Sequence, residues 1–280
     1  MTPGQRAEAL VSEFGISSPS ELDVEAIAYD AGMDVRYEQL DGCEATLVGV
    51  KNQAIATIRP SGNRGRERFS LAHELGHWNM HRGRSFRCRV DDQSANLASD
   101  ASLEKEADSY AAHLLMPRYL FDPAIRSGAK IPTFKHIGEV AQAFEVSIAA
   151  AIIRMAEVDS LPVIVACYDR AGIRWRAFAP HVPRRWRLVQ TLDEDSFAYD
   201  IVYGVKSTQG SGKQEAQSWF SNDEAANYEV HENSIPGRPG EVLVMLYMGD
   251  TNMFESPYER EPERRYQDVR KCLNFCVQGR

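Results

Sequence analysis

The sequence lacks the features that mark secreted and membrane-spanning proteins. It holds only 5 cysteines in 280 residues, and none of them forms a Cys-x-x-Cys pair. An odd number of scattered cysteines does not make a disulfide framework. No run of about 18 apolar residues is present, and the first residues, MTPGQRAEALVSEF, include no apolar signal region. We therefore expect a reduced, cytoplasmic protein that does not associate with a membrane.

The chain also lacks a basic excess and internal repeats. Its 32 lysines and arginines are outnumbered by 40 aspartates and glutamates, which gives a formal net charge of −8. This balance argues against a protein that coats nucleic acid or anionic lipid through its bulk charge. With 43% hydrophobic residues, the chain is long enough to bury one large core or two modest ones, and we expect two domains.

The segment FSLAHELGHWNMH, residues 69–81, contains three histidines at four-residue steps. On a helix they share one face, within an arc of about 80°. Two neutral imidazoles one turn apart can occupy two corners of a tetrahedral zinc site, and a glutamate after the first can act on water there. This His-Glu-x-x-His arrangement consists of His73, Glu74 and His77. The His-Glu-x-x-His pattern can also occur by chance. A zinc site is therefore predicted only if a third ligand can be found on a neighbouring element.

The third ligand must come from another element, since a longer zincin motif would need histidine at Gly83. A helix is predicted over residues 102–116, SLEKEADSYAAHLLM. Glu104 falls inside its apolar arc, whereas Glu106 lies about 100° from the centre of that arc and should face solvent. A carboxylate on an apolar face needs a cation or another partner. We therefore predict Glu104 as the third ligand, with Glu106 and Cys88 as alternatives.

Two further residues are predicted to support the ligands. Asp108, one turn after Glu104, can accept the free ring N–H of a ligating histidine. His81 receives a supporting role as well, because three consecutive turns of a straight helix cannot converge on one ion. Candidates for stabilising the oxyanion of a peptide substrate, among which the sequence does not choose, are Tyr110, His113 and His136.

Arginines are concentrated around the histidine segment. Eight of them lie between Arg59 and Val90 against Glu67 and Glu74. Such a segment is either a solvated surface or a patch that steers an acidic substrate or DNA.

Residues 137–155, IGEVAQAFEVSIAAAIIRM, resemble a helix-turn-helix in which Ser147 caps the second helix. That helix carries mostly alanine and isoleucine where base-reading side chains would be needed, and Arg154 is its lone basic residue. A scaffold or partner-docking role is therefore favoured over DNA reading.

Strand signals dominate after residue 160. LPVIVACYDRAGIRWRAFAP predicts two strands joined at 169–172, and SFAYDIVYG, EAQSWFS and EVLVMLYMG predict three more. STQGSGKQ and SIPGRPGE are typical of a loop and a turn. The predicted domains are a peptidase domain over 1–130, a helix-turn-helix-like extension over 131–159 and a strand-rich α+β domain over 160–280.

RFSLAHELGHWNMH followed by EKEADSYAAHLLMP resembles the ImmA/IrrE family of metallo-endopeptidases, and LDVEAIAYDAGMDVRYEQLDGCEATLVG is similar to that family's lead-in. The resemblance covers about residues 20–158. It implies an α+β fold with a zincin-like peptidase domain. It also implies one zinc ion bound by His73, His77 and Glu104, with Glu74 as general base.

The resemblance further implies a biological role. Family members cleave helix-turn-helix repressors in the cytoplasm during stress or mobile-element responses, and IrrE-like members carry an additional GAF-like domain, which we expect at 160–280. We therefore predict a zinc-dependent endopeptidase in which metal-activated water attacks a peptide bond of such a repressor. The alternative is a DNA-binding or sensor protein with a structural, catalytically idle zinc site. Glu74 discriminates between the two, because a structural site gains nothing from it.

Overall fold

The computed structural model describes residues 1–82, 86–88, 98–204 and 209–255. The chain divides into two units, Met1–Leu161 and Pro162–Arg280. The first combines helices with a four-stranded sheet, and the second is rich in strands. The predicted α+β fold class is therefore confirmed.

The first unit places a mixed sheet among seven described α-helices. The helices are α1 (Pro3–Glu13), α2 (Val24–Asp30), α3 (Arg64–Met80), α4 (Ala98–Leu115), α5 (Arg118–Arg126), α6 (Phe134–Ala143) and α7 (Ile148–Glu157). The strands are β1 (Met33–Tyr37), β2 (Ala45–Val50), β3 (Gln53–Ile58) and β4 (Phe86–Cys88). Their order is β1-β3-β2-β4, with β1 parallel to β3 and the other pairs antiparallel.

Helix α3 turns its apolar face toward the sheet. Leu71, Leu75 and Trp78 are buried in the same core as strand residues of β2 and β3. The Trp78 ring nitrogen donates a hydrogen bond of 2.8 Å to the carbonyl oxygen of Ala31. Gly49 on β2 makes room for this ring, because a Cβ atom there would lie 2.8 Å from it. The histidine face of α3 is thereby left to contact α4.

One helix boundary differs from the prediction. Helix α4 begins at Ala98, four residues before Ser102, and helix α3 ends at Met80. The final residue of the histidine segment, His81, is thus the C-cap of α3.

Helices α6 and α7 form the predicted bent pair. The Ser147 side chain accepts a hydrogen bond of 3.1 Å from the backbone N–H of Ala150, so it caps α7 as expected. The two helices bend by 99°, within the range of helix-turn-helix pairs. Among the described residues no single helix is long and apolar enough to cross a membrane. The bent pair of α6 and α7 reaches the necessary length and apolar composition only when its two helices are taken together.

Arg154 fixes α7 to the rest of the first unit. Its side chain is only 1% exposed. Its guanidinium donates to Glu8 Oε1 on α1 at 2.7 Å and to the carbonyl oxygen of Met116, just after α4, at 3.0 Å. The one basic side chain of this helix is therefore committed to internal contacts and does not reach a nucleic acid.

The second unit is built on one antiparallel sheet. Its strands are β5 (Val163–Asp169), β6 (Gly172–Phe178), β7 (Gly210–Glu215), β8 (Glu229–Pro236) and β9 (Val242–Tyr247), in the order β6-β5-β9-β8-β7, and its α-helix is α8 (Phe197–Tyr203). The predicted β5–β6 hairpin and the strand at β9 are confirmed.

Three predictions for the second unit are wrong. SFAYDIVYG forms α8, because the Ser196 hydroxyl caps its start and Gly204 ends it with φ of 77°. EAQSWFS contains a 3-10 turn at Ala216–Ser218, since the adjacent Trp219 and Phe220 are both buried and cannot alternate as strand residues do.

The third error concerns STQGSGKQ, whose glycine-rich end forms strand β7. A Cβ atom at Gly212 would lie 3.2 Å from the Phe197 ring. The glycines thus make room for that ring instead of forming a loop.

We expect Arg154→Ala to lower the free energy of unfolding by about 3 kcal/mol, because Glu8 and the Met116 carbonyl would lose a buried charged donor. Arg126→Ala is the control, since the Arg126 side chain is 53% exposed in its pair with Asp122 and should contribute less than about 1 kcal/mol. Urea unfolding followed by circular dichroism measures both. Equal losses would contradict the fixing role of Arg154.

Candidate metal centre

His73, His77 and Glu104 converge from two helices, and we refer to these three residues as the metal triad. His73 Nε2 lies 3.1 Å from His77 Nε2 and 3.1 Å from Glu104 Oε2. His77 Nε2 lies 3.3 Å from Glu104 Oε1. The structure thus brings the three predicted ligands together.

The spacing of the triad fits a metal ion. In tetrahedral zinc sites, ligands at about 2.0–2.1 Å from the ion are about 3.3 Å from one another. The three donor distances of 3.1 to 3.3 Å match that edge. Both imidazoles are buried, while Glu104 keeps 37% of its side chain exposed. Within the described part of the chain, one side of the triad is therefore open to a further ligand.

A close approach of α3 and α4 creates the triad. Gly76 faces α4, and a Cβ atom at this position would lie 3.2 Å from Ala107 Cα and 3.1 Å from Tyr110 Cβ. Ala107 and Ala111 add little bulk on the other side, and both are fully buried. Hydrophobic periodicity does not single out Gly76, although a glycine inside a helix between two histidines is a signal for such a close approach.

The carboxylates around His73 favour positive charge. Burial disfavours the charged imidazolium of His73, but its hydrogen bonds to Asp108 and Glu104 outweigh this effect and raise its pKa to about 10. Burial likewise opposes ionisation of Glu104, yet hydrogen bonds from His73 and His77 lower the pKa of Glu104 to about 2. Burial lowers the pKa of His77. A metal cation would supply the positive charge that this cluster favours.

Both histidines of the triad have a second partner. His73 Nδ1 donates to Asp108 Oδ1 at 2.9 Å, the contact anticipated for Asp108. His77 Nδ1 lies 3.2 Å from His81 Nδ1, and His81 Nε2 lies 3.1 Å from Glu106 Oε2. Glu106 was expected to face solvent, and its side chain is 40% exposed while it also contacts His81. The end of α3 at His81 provides this partner, which helical periodicity of α4 alone does not show.

Glu74 lies directly beside the triad. It is fully buried between His73 and His77 along α3, and its charge contributes to the raised pKa of His73. A buried carboxylate next to a metal ligand along the chain is the kind of group that exchanges a proton with a water molecule in such sites.

The remaining candidates make other contacts. The Tyr110 hydroxyl accepts a hydrogen bond of 2.8 Å from the Asn79 amide. His113 contacts Glu8 and Arg154, and His136 Nε2 lies 3.0 Å from the carbonyl oxygen of Ala124. The side chain of Cys88 lies outside the described residues. The structure gives His113 and His136 roles in packing rather than in the metal centre.

Acidic residues from other elements neutralise much of the arginine cluster. Glu44 pairs with Arg59 and Arg66. Glu145, in the turn between α6 and α7, pairs with Arg64 and Arg68. The Arg82 guanidinium stacks on the Trp78 ring at 4.8 Å. The side chains of Arg84, Arg87 and Arg89 lie outside the described residues. The described arginines are therefore engaged with the protein, which favours the solvated-surface interpretation.

A family model described as the IrrE N-terminal-like domain, a peptidase family, matches residues 28–156. A solved structure of a Mycobacterium tuberculosis transcriptional regulator is similar with a TM-score of 0.58 and 13% sequence identity, covering 88% of this chain and 76% of that one. At this identity the likeness shows the fold alone. No curated protein sequence matches the chain.

We expect Gly76→Val to separate α3 from α4 and to weaken metal binding. The free energy of unfolding should fall by about 1–3 kcal/mol, because the valine side chain would collide with backbone and Cβ atoms of α4 that cannot move aside easily. Gly138→Ala on α6 is the control, since a Cβ atom there would be 3.8 Å from the Ile148 Cδ1 atom, and it should gain up to about 1 kcal/mol. Metal content and urea unfolding test both. Wild-type values for Gly76→Val would show that the close approach is not required.

Proposed function

We propose that the protein is a zinc-dependent endopeptidase, because residues 28–156 match the model of the IrrE N-terminal-like domain, a peptidase family. The observation that carries the proposal is the metal triad with Glu74 beside it. Two imidazole nitrogens and one carboxylate form the donor set of many catalytic zinc sites. Each of the two helices therefore supplies part of one hydrolytic centre.

The mechanism assigns one task to each residue. A zinc ion bound to His73, His77 and Glu104 would polarise a peptide carbonyl and lower the pKa of water toward about 7. Glu74 accepts the proton of the attacking water and later donates it to the leaving amine. Asp108 holds the ring of His73 in place through the bond to Nδ1.

The proposed substrate is a helix-turn-helix transcriptional repressor, cleaved in the cytoplasm in a stress or mobile-element response. The resemblance to ImmA/IrrE endopeptidases supports this choice, and the similar mycobacterial structure is named as a transcriptional regulator. We further propose a peptidase domain over 1–130, a scaffolding helical extension over 131–159 and a GAF-like sensory or partner-binding domain over 160–280.

The competing function is a DNA-binding or sensor protein with an idle zinc site. The structure offers it little support among the described residues, because Arg154 is buried and four arginines near α3 are paired with Glu44 and Glu145. The two functions differ in what Glu74 does, and this difference can be measured.

We expect Glu104→Ala to lose zinc, because only two protein ligands would remain. Glu106→Ala is the matched control on the same helix, and it should still carry about one zinc per chain at saturating metal. Elemental analysis of the purified proteins measures the metal content. The reverse pattern would make Glu106 the third ligand.

We expect Glu74→Gln to retain zinc and to lose peptide cleavage by about 100-fold or more, because the amide cannot accept the proton of water. Cleavage is followed by mass spectrometry after co-expression with neighbouring helix-turn-helix repressors. A wild type that binds zinc yet cuts no repressor under any tested condition would support the idle-site function instead.

A further inference from the structure

Glu106, His81 and His77 form a chain of hydrogen bonds that leads to the metal triad, and we call it the Glu106–His81 chain. Glu106 Oε2 lies 3.1 Å from His81 Nε2, and His81 Nδ1 lies 3.2 Å from His77 Nδ1. His77 Nε2 is the atom that belongs to the triad. Both ring nitrogens of His81 are therefore engaged between a carboxylate and a triad histidine.

The direction of each bond in this chain follows from the chemistry of its first member. An ionised carboxylate can only accept, so His81 Nε2 must carry the proton and donate it to Glu106. A neutral His81 then has an unprotonated Nδ1, which accepts from His77. His77 consequently carries its proton on Nδ1 and keeps a lone pair on Nε2. The triad requires this tautomer, because a protonated Nε2 cannot bind a metal ion.

The position of His81 at the end of α3 supports the chain. Its backbone N–H donates to the His77 carbonyl oxygen at 2.8 Å, while its own φ and ψ leave the helical region. Its side chain is only 8% exposed. The ring is therefore held between α3 and α4, close enough to touch both His77 and Glu106.

We propose that His81 and Glu106 are positioning residues that hold His77 in the tautomer able to bind metal. Asp108 fixes the tautomer of His73 through one direct hydrogen bond. For His77 the carboxylate of Glu106 acts through the imidazole of His81, which lies between them. The inference rests on the proposed zinc function, and it gives Glu106 a role without making it a ligand.

The first test measures zinc affinity of the full-length chain by competition with a chromophoric chelator. Glu106→Ala should weaken zinc binding about 10- to 100-fold, the usual effect of losing a hydrogen-bond partner of a ligand. Glu106→Gln should weaken it less, because the amide oxygen still accepts from His81. Lys105→Ala, at the exposed neighbouring position of α4, is the control and should bind as the wild type does.

A second pair of variants tests His81. His81→Ala should weaken zinc binding to a similar extent, since His77 Nδ1 loses its acceptor. His81→Gln should restore part of the affinity, because its amide oxygen can accept from His77. A loss caused only by altered packing would not be restored by a side chain of different shape.

The decisive readout is the tautomer of each ring, measured by long-range nitrogen–proton NMR on the 7 histidines. In the metal-free wild type we expect the proton on Nδ1 of His77 and on Nε2 of His81. Glu106→Ala should produce a mixture of tautomers at both rings, while Lys105→Ala should not. The same spectra and the circular dichroism of each variant confirm that it is folded.

Three outcomes would overturn the inference. They are unchanged tautomers in Glu106→Ala, zinc affinity within about twofold of the wild type, and a complete loss of zinc equal to that of Glu104→Ala, which would make Glu106 a ligand. None of these readouts uses peptide cleavage. A wild type that binds zinc but cuts nothing would therefore refute the peptidase and leave the Glu106–His81 chain intact, so the two failures are distinguishable.

Discussion

The close packing of α3 against α4 is the contact on which the candidate metal centre depends. Gly76 has no side chain, and it faces Ala107 and the Cβ atom of Tyr110. Because the two backbones approach so closely, a short carboxylate side chain on α4 reaches two imidazoles on α3. The sheet holds α3 from its other side through a buried apolar face that includes Trp78. Helix α3 is thus held between the sheet on one side and α4 on the other.

This packing buries the imidazoles of His73 and His77. Neighbouring carboxylates offset the cost of burying these polar groups. His73 lies between Glu104 and Asp108, which together keep a positive charge favourable there. His77 is fully buried, and burial lowers its pKa. Each triad histidine also has a hydrogen-bond partner on its Nδ1 atom, Asp108 for His73 and His81 for His77. A metal cation bound by the triad would supply the positive charge that these carboxylates favour. A purely structural site would not need the additional buried carboxylate of Glu74.

The same principle of internal pairing explains features that suggested nucleic-acid binding. Arg154 lies in the second helix of a helix-turn-helix-like pair, yet it reaches inward to Glu8. Glu145, in the turn of that pair, binds Arg64 and Arg68 at the start of α3. Through these contacts the bent helix pair is bound to α1, to α3 and to the end of α4. Its shape resembles a DNA-reading motif, but its charged side chains are used to stabilise the first unit.

The sequence by itself determined what depends on neighbours along the chain. The periodicity of α3 placed His73 and His77 on one face, and the apolar arc of α4 selected Glu104. A cap residue and a turn located α7 and the β5–β6 hairpin, and the paired motifs indicated the family whose model matches residues 28–156. Tertiary structure decided which distant groups meet: Glu106 with His81, and acids with arginines. It also decided the wrongly predicted elements of the second unit, since α8 and β7 form against each other through Phe197 and two glycines. Periodicity along the sequence predicts the helix or strand face on which a side chain lies. Only the tertiary structure determines which other residues pack against that face.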